Sequence, residues 1–378
     1  MIFNQLKKMS NIFLKKMDKI EVEANKCLKI RAVTSSCTAC KDVCPVDSID
    51  ITQDAVEIND CCIECGLCTS VCQTNALKWI HPPHIQLLDR LKRLSDRENE
   101  VYIGCTTSIK GQVLSNVVEV PCLGMLPIEF WISSAVRIPN MVIYYPPNDC
   151  DRCKTHEGAT LFLNHKKKAE AVLDHTLSIS ASINKGEDDA LIDHNRRRFF
   201  STLMEEAKET NTITMREVME VETTLSPFEK FDRHIKQQTD IEELTKSATE
   251  MKDQLVDRLL NGSVIHTDKR AMLLQAIEKD RSLPEKMTFF IPKVEESCSL
   301  CGACAILCPT DAMIMDEESL ILSTDKCVSC GLCEEICYEK HIHMTKRSGT
   351  VFNEKYLYLT HKKSSAQALL QTVDNSAN

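Results

Sequence analysis

The feature that most constrains this chain is the arrangement of its 21 cysteines. Most of them fall in two clusters, one near each end of the chain, in which one thiol follows another after two or three intervening residues. Cysteine at this density forms either a disulfide framework or metal sites. Aromatic residues make up only 5% of the chain, so its cores are built from small aliphatic residues or held by something other than packing.

The N-terminal segment distinguishes between disulfides and metal. Residues 1–26 carry lysines throughout, with no long apolar core and no small-residue cleavage site, so a secretory signal is not predicted. We therefore expect a cytoplasmic protein, in which disulfides do not persist and clustered thiolates bind metal. The most apolar stretch, 125–145, is interrupted by charged residues and proline, so no membrane-spanning helix is predicted.

The two cysteine-rich regions repeat one pattern. A Cys-Pro pair, at 44–45 and again at 308–309, is followed by Cys-x2-Cys-Gly-Leu-Cys, at 62–68 and again at 327–333. More than two hundred residues separate the copies. The repeat therefore predicts a duplicated domain.

The spacing within each copy is typical of iron–sulfur ligation. A cubane cluster has four iron corners, each of which takes one thiolate, and a Cys-x2-Cys-x2-Cys loop can wrap three of them. In runs of this type the fourth cysteine ligates the neighbouring cluster. The C-terminal copy therefore predicts two ligand sets: Cys298, Cys301, Cys304 and Cys337 for one cluster, and Cys327, Cys330, Cys333 and Cys308 for the other.

This spacing, found twice, resembles bacterial ferredoxins that carry two [4Fe–4S] clusters. The resemblance covers about fifty residues per copy and implies a small α+β fold of two pseudo-symmetric halves. It also implies four [4Fe–4S] clusters in the whole chain. Zinc is the main competing metal for four-cysteine sites, but the regular repeated run ending in Cys-Pro favours iron–sulfur.

The N-terminal copy departs from the pattern in its first half. The expected first ligand position holds Thr34, and Cys27, reached through a longer loop at 28–36, is the predicted substitute. Without Cys27 this site would hold a [3Fe–4S] cluster or an open iron. Cys61 is out of register and is interpreted as a spectator. The predicted sets are Cys27, Cys37, Cys40 and Cys72 for one cluster, and Cys62, Cys65, Cys68 and Cys44 for the other.

A weaker constellation lies in the middle of the chain. β-type runs at Val117–Val120 and Met141–Tyr145 lie next to cysteine loops, as in α/β sheets whose ligands gather at strand ends. The order of segments resembles the iron–sulfur (delta) subunit of hydrogenases that serve heterodisulfide reductase, although Thr106 and Thr107 stand where that family has a further cysteine pair. The resemblance implies a [2Fe–2S] cluster, with zinc or no metal as alternatives, on Cys105, Cys122, Cys150 and Cys153.

The predicted architecture is α+β, with two dicluster ferredoxin-like domains flanking a small α/β cysteine domain and a helical segment. The predicted divisions are a basic N-terminal helix (1–26), a ferredoxin domain (27–82), the α/β cysteine domain (83–180), a helical spacer or docking region (181–292), a second ferredoxin domain (293–346) and a tail (347–378).

The sequence contains no motif for a nucleotide, a P-loop or a zinc protease, so we assign no catalytic residue. We interpret the chain as the electron-wiring subunit of a multi-subunit oxidoreductase (a hydrogenase, formate dehydrogenase or heterodisulfide-reductase-like complex), with catalytic and flavin-containing subunits as expected partners. The alternatives are a free-standing polyferredoxin and a metal-stabilised structural or maturation protein. A net charge of −9 argues against nucleic acid. Residues 295–345 hold ten acidic residues against two lysines, which suits either a basic partner or a solvated surface.

Overall fold

The computed structural model describes residues 19–80, 82–110, 114–184, 268–316 and 318–361. The chain divides into two units, residues 1–186 with 266–378 and residues 187–265, and all described residues belong to the first unit. Residues 185–267 of the predicted helical spacer or docking region lie outside the described residues.

Residues 19–80, here called the N-lobe, form two antiparallel strand pairs. Strand β1 pairs with β4, and β2 pairs with β3 in a hairpin. In β1 the alternation Ile-Glu-Val suits a strand with one covered face. The bounds are β1 Ile20–Val22, β2 Ile49–Ile51, β3 Val56–Ile58, β4 Leu77–Trp79, α1 Leu28–Arg31, α2 Ala39–Asp42 and α3 Leu67–Val71.

Residues 288–361, here called the C-lobe, repeat this pairing. Its first strand pairs with its fourth, β9 with β12, and β10 pairs with β11 in a hairpin. An additional strand, β13, pairs with β11. The bounds are β9 Thr288–Val294, β10 Met313–Met315, β11 Ser319–Ser323, β12 Ile342–Ser348, β13 Tyr356–His361, α11 Ala303–Ile306 and α12 Leu332–Glu335.

Between the lobes in sequence lies a parallel four-stranded sheet in the order β6-β5-β7-β8, here called the sheet domain. Both predicted β-type runs are strands, and the second is one residue shorter than predicted. The bounds are β5 Val101–Cys105, β6 Val117–Val120, β7 Met141–Tyr144, β8 Ile179–Ser180, α4 His84–Ser95, α5 Thr106–Ile109, α6 Ile128–Arg137, α7 Pro147–Cys150 and α8 Glu157–Leu173.

The largest core lies around this sheet and extends into the N-lobe. It includes Trp131 and Phe130 from α6, and Trp79 from β4. Helices α9 Asp268–Lys279 and α10 Leu283–Lys286 supply further core residues, among them Met272 and Leu283. Helices α9 and α10 of the predicted spacer therefore pack into the core instead of separating domains.

Two predicted segments differ from the structure where it describes them. Residues 1–18 of the predicted N-terminal helix lie outside the described residues, and its end forms strand β1 and a 3-10 turn at Ala24–Lys26. The predicted tail begins inside β12 and contains β13. Backbone pairing with β4 and β11, which short-range sequence patterns do not reveal, explains both differences.

The described fold is therefore a mixture of helices and small sheets. None of the helices in the described ranges is long and apolar enough to cross a bilayer.

Candidate metal centres

The cysteines singled out by their spacing lie in five groups, which are numbered so that consecutive groups are neighbours in the structure. The groups are site 1 (Cys105, Cys122, Cys150, Cys153), site 2 (Cys44, Cys62, Cys65, Cys68), site 3 (Cys27, Cys37, Cys40, Cys72), site 4 (Cys308, Cys327, Cys330, Cys333) and site 5 (Cys298, Cys301, Cys304, Cys337). The remaining cysteine, Cys61, is exposed.

Three of the sites surround cavities. The four thiols of site 2 line one cavity, together with the apolar side chains of Ile49 and Leu67. Those of site 4 line a second cavity, which Cys304 of site 5 also borders. Those of site 5 line a third, of about 210 Å³. Within the described ranges, no three His, Cys, Asp or Glu side chains converge closely enough to hold a single metal ion.

Site 3 contains Cys27, the predicted substitute ligand. The thiol of Cys40 interacts electrostatically with those of Cys72, Cys37 and Cys27. Cys27 ends the 3-10 turn and precedes helix α1, which takes up the extra residues of the loop. The structure therefore brings Cys27 to the other three thiols through a helical turn, where the sequence had predicted only a longer loop.

The regular cysteine loops share one backbone conformation. In each Cys-x2-Cys-Gly loop, the residue before the second cysteine and the glycine after it have positive φ. These pairs are Glu64 with Gly66, Leu300 with Gly302, and Ser329 with Gly331. Glycine takes this conformation without strain, which explains why it follows the second cysteine in each loop. In site 3 the corresponding position after Cys37 is Thr38, with an ordinary φ of −129°, so this loop folds differently.

Backbone amides point at sulfurs of three of the ferredoxin-type sites, sites 2, 3 and 4. The N–H of Ser48 donates to Cys44 Sγ at 3.3 Å, and that of Ala312 donates to Cys308 Sγ at 3.3 Å. The N–H of Leu77 donates to Cys72 Sγ at 3.5 Å. Such hydrogen bonds favour the negative charge of a metal-bound sulfur.

Burial keeps several of these thiols from ionising by themselves. It raises the pKa of Cys40 to about 12, of Cys330 to about 12 and of Cys304 to about 11, and the neighbouring thiols act in the same direction. A thiol with so high a pKa is protonated at neutral pH, and a metal ligand must be deprotonated. Loading of these sites must therefore release protons.

Site 1 lies at the carboxyl ends of the parallel strands, as predicted. Cys105 is the last residue of β5, Cys122 follows β6, and Cys150 ends the short helix α7 after β7. Parallel strands bring these ends to one edge of the sheet. Cys150 interacts electrostatically with Cys105 and Cys153.

Three hydroxyl groups lie close to sulfurs of site 1. Ser108 Oγ lies 3.2 Å from Cys105 Sγ, and Thr155 Oγ1 lies 3.1 Å from Cys153 Sγ. Thr107 Oγ1 lies 3.8 Å from Cys153 Sγ. Burial acts to raise the pKa of Cys153, but these hydroxyls and nearby backbone N–H groups outweigh it and lower that pKa. Thr107 is therefore a neighbour of the site.

Gly158 of helix α8 leaves space for the sulfur of Cys122 in site 1. A Cβ atom on Gly158 would lie 2.4 Å from Cys122 Sγ, far inside van der Waals contact. Burial raises the pKa of Cys122 to about 12, opposed by hydrogen bonds from the Gly124 backbone and the Thr155 side chain. The close approach of helix α8 to Cys122 therefore depends on glycine.

Comparison with known proteins identifies one segment. Residues 291–314 match the family model described as a 4Fe-4S binding domain (Fer4). The chain is an iron–sulfur protein. The match covers the run from Cys298 to Cys308, which belongs to sites 5 and 4, and supports electron transfer as the activity. No solved structure matches the chain.

The residues present fit [4Fe–4S] clusters. Sites 2 to 5 each offer four thiols, all of them buried or half-buried except the exposed Cys301, and amides are directed at sulfurs of sites 2, 3 and 4. Thiolates are the usual protein ligands of such clusters. Sequence reasoning missed two buried cations, Lys269 and Arg270, beside sites 3 and 4. They lie far from any cysteine in sequence, so no spacing signal could have revealed them.

Proposed function

We propose that this chain holds four [4Fe–4S] clusters at sites 2 to 5 and a [2Fe–2S] cluster at site 1, and passes single electrons along them. The observation that carries the proposal is continuity: each site adjoins the next. Single-electron exchange between iron–sulfur clusters requires no bond to form or break, so the protein has only to hold the clusters close together and set their potentials.

The contacts between neighbouring sites support such a relay. The thiol of Cys122 in site 1 interacts electrostatically with that of Cys65 in site 2. Cys68 of site 2 does so with Cys40 of site 3. At the far end, Cys333 of site 4 interacts with Cys304 of site 5. Each contact joins ligands of different predicted clusters.

The step from site 3 to site 4 crosses between the lobes. Leu28 and Ala32 of the N-lobe pack against Leu332 of the C-lobe, and Cys37 and Cys330 pack against the same cluster of side chains. One thiol of site 3 and one thiol of site 4 therefore pack against the same group of apolar side chains. The duplicated domain thus supports one continuous path from site 1 to site 5 instead of two separate pairs.

The two ends of the path are accessible. At site 5, Cys301 is exposed and Tyr338 beside it is 96% exposed. At site 1, the loop between Cys150 and Cys153 is exposed at Asp151 and Arg152. A chain with an accessible site at each end suits a wiring subunit between a catalytic and a flavin-containing partner. The thiols grouped in sites 2 to 5 are also the ligand sets that the resemblance to two-cluster ferredoxins implies.

The experiment is anaerobic purification followed by iron and sulfide analysis and an electron paramagnetic resonance (EPR) titration. About sixteen irons per chain with reversible low-potential signals support the four cubanes, and about eighteen support the additional binuclear site. Serine at Cys330 should remove about four irons, whereas serine at the spectator Cys61 should remove none. Zinc without reversible signals would instead support a metal-stabilised structural protein.

A second measurement separates a wiring subunit from a free-standing polyferredoxin. Purification from the native source should yield a complex with stable stoichiometry that includes a flavin-containing subunit. A chain that elutes alone and is reduced and reoxidised by several unrelated enzymes would favour a diffusing carrier.

A further inference from the structure

Two adjacent cations are buried next to the relay. Lys269 and Arg270 follow one another in helix α9, and each is only 6% exposed. Lysine and arginine are almost never fully buried unless they are paired, because removing a charge from water is costly. Their burial therefore indicates specific partners.

Lys269 contacts the N-lobe. Its Nζ donates to the carbonyl oxygens of Ser70, at 2.9 Å, and Cys72, at 2.6 Å. Cys72 belongs to site 3. The charge of Lys269 interacts electrostatically with the Glu129 carboxylate, with the thiols of Cys72 and Cys68 and with the Asp268 carboxylate, so it lies within reach of sites 3 and 2.

Arg270 contacts the C-lobe. Its Nη2 donates to the carbonyl oxygen of Cys327, which belongs to site 4. Its guanidinium lies over the rings of Phe352 and Phe289, at 4.9 and 5.4 Å from the ring centroids. Aromatic faces attract a cation and hold it where water is scarce. The guanidinium also interacts electrostatically with the Cys327 thiol.

Consecutive residues of one helix therefore reach the two sites between which the electron changes lobe. The helix is fixed in place, because Met272, Leu273 and Ala276 lie in the core around the sheet. Its two cations consequently have defined positions beside sites 3 and 4.

Reduction adds one negative charge to a cluster. A buried positive charge nearby stabilises the reduced form, and more strongly than an exposed charge would, because the surrounding dielectric is low. Net charge and hydrogen bonding are among the factors that set cluster potentials.

We propose that Lys269 raises the reduction potential of the cluster at site 3 and that Arg270 raises that of the cluster at site 4. This inference rests on the proposed function, since it requires clusters at both sites. Both residues are positioning residues: they act on the clusters through charge and through the backbone of Cys72 and Cys327, and they do not ligate iron.

The test is an EPR-monitored redox titration of the full-length, anaerobically purified protein. Lys269→Gln keeps a hydrogen-bond donor but removes the charge, and should lower the midpoint of the cluster at site 3 most, with at most a smaller shift at site 2. Arg270→Gln should move a different midpoint in the same direction, and the double variant should move both. Lys279→Gln removes an exposed charge from the other end of the same helix and should move none.

Charge-conserving variants separate electrostatics from structure. Lys269→Arg and Arg270→Lys should keep all midpoints near their original values. If Lys269→Gln loses about four irons, Lys269→Met, which fills a similar volume without charge, replaces it, and the assignment is judged on that variant. Full iron content with no midpoint moved, or with all midpoints moved together, would overturn the inference. A wild-type chain without reversible clusters would overturn the proposed function instead.

Discussion

The N-lobe and the C-lobe share their strand pairing but are embedded to different extents. After the last regular loop, the N-lobe has Thr74 and Asn75, which are 2% and 5% exposed, where the C-lobe has the exposed Glu339 and Lys340. The N-lobe packs against the sheet domain, because Trp79 belongs to the core around the sheet. The C-lobe presents Tyr338 to solvent. One cysteine pattern thus occurs both in a lobe that packs against the sheet domain and in a lobe that is more exposed to solvent.

The two lobes differ in burial because the residues that follow the last cysteine of each regular loop differ. Helix α3 of the N-lobe carries Thr69 and Ser70, both buried, and the hydroxyl of Thr69 donates to the carbonyl of Gly66 at 2.7 Å. The corresponding residues in α12 of the C-lobe are Glu334 and Glu335. A buried hydroxyl can donate a hydrogen bond to a backbone carbonyl of its own helix, whereas a carboxylate needs water or a cation as its partner.

Exchanging these residues tests the comparison most severely. Thr69→Glu places a carboxylate in the contact between the N-lobe and the sheet domain, and we expect a loss of about 3–5 kcal/mol in the free energy of unfolding. Glu334 is partly exposed, and its carboxylate accepts a hydrogen bond from the N–H of Met344 at 3.0 Å. Glu334→Thr should therefore cost only about 1 kcal/mol. Anaerobic urea unfolding, followed by cluster absorbance, measures both.

Equal losses in the two variants would show that the lobes are embedded alike and that the comparison is wrong. Iron content, measured before unfolding, serves as the control, since each variant must begin with the same number of clusters.

Much of the site could be predicted from the sequence, because a cluster imposes its spacing on the chain. The regular runs at 298–308 and 327–337 required no knowledge of tertiary structure, and the strands Val117–Val120 and Met141–Tyr144 followed from local composition. What could not be predicted depends on distant packing. The turn of α1 after Cys27 is a local conformation that the spacing of the cysteines does not specify. The Thr107 hydroxyl reaches Cys153, and Lys269 reaches Cys72, across long separations in sequence.

Two glycine substitutions compare the cysteine loops of site 1 in the sheet domain and site 4 in the C-lobe. Gly158→Ala would force a methyl group against Cys122 Sγ, so we expect site 1 to lose its metal and the fold to lose about 1–3 kcal/mol. Gly331→Ala in the C-lobe has open space around the new methyl group but requires a positive φ. It should cost about 1–2 kcal/mol of backbone strain and keep its cluster. Metal analysis and the visible spectrum distinguish the two outcomes.

Retention of all metal by Gly158→Ala would show that helix α8 can move away from Cys122, and the close approach would then not be needed for binding. Loss of iron from Gly331→Ala would mean that the left-handed glycine is essential to site 4 as well as favourable for the fold.

The free energy of unfolding should also depend on pH through His84, the buried first residue of helix α4. Burial and the charge of Lys269 lower its pKa to about 3, against 6.5 for the ordinary side chain. Below pH 6.5 the unfolded chain takes up a proton that the folded chain does not. The free energy of unfolding should therefore fall with decreasing pH by about 1.4 kcal/mol per unit until pH 3. Urea unfolding at pH 7.5 and 5.5 measures this loss.

His84→Gln provides the matched control, because it removes the titrating group while keeping a polar side chain. The loss between the two pH values should shrink by about 1.4 kcal/mol in this variant. An unchanged pH dependence would show that His84 is protonated within the fold and that its surroundings are more polar than the packing indicates.

The smallest effect is expected at the polar contact between the lobes. Ser36 Oγ donates to Glu335 Oε1 at 2.9 Å, but the pair is exposed, so Ser36→Ala should change the free energy of unfolding by about 0.5 kcal/mol. Leu332 lies between the lobes and is only 1% exposed. Leu332→Ala should therefore lower the free energy of unfolding by about 2–5 kcal/mol. The magnetic interaction between the clusters at sites 3 and 4, measured by EPR, should survive the serine change and weaken with the leucine change. If the serine change alone weakened it, the lobes would be held together by a surface hydrogen bond, and the apolar contact would not be what brings the two inner clusters together.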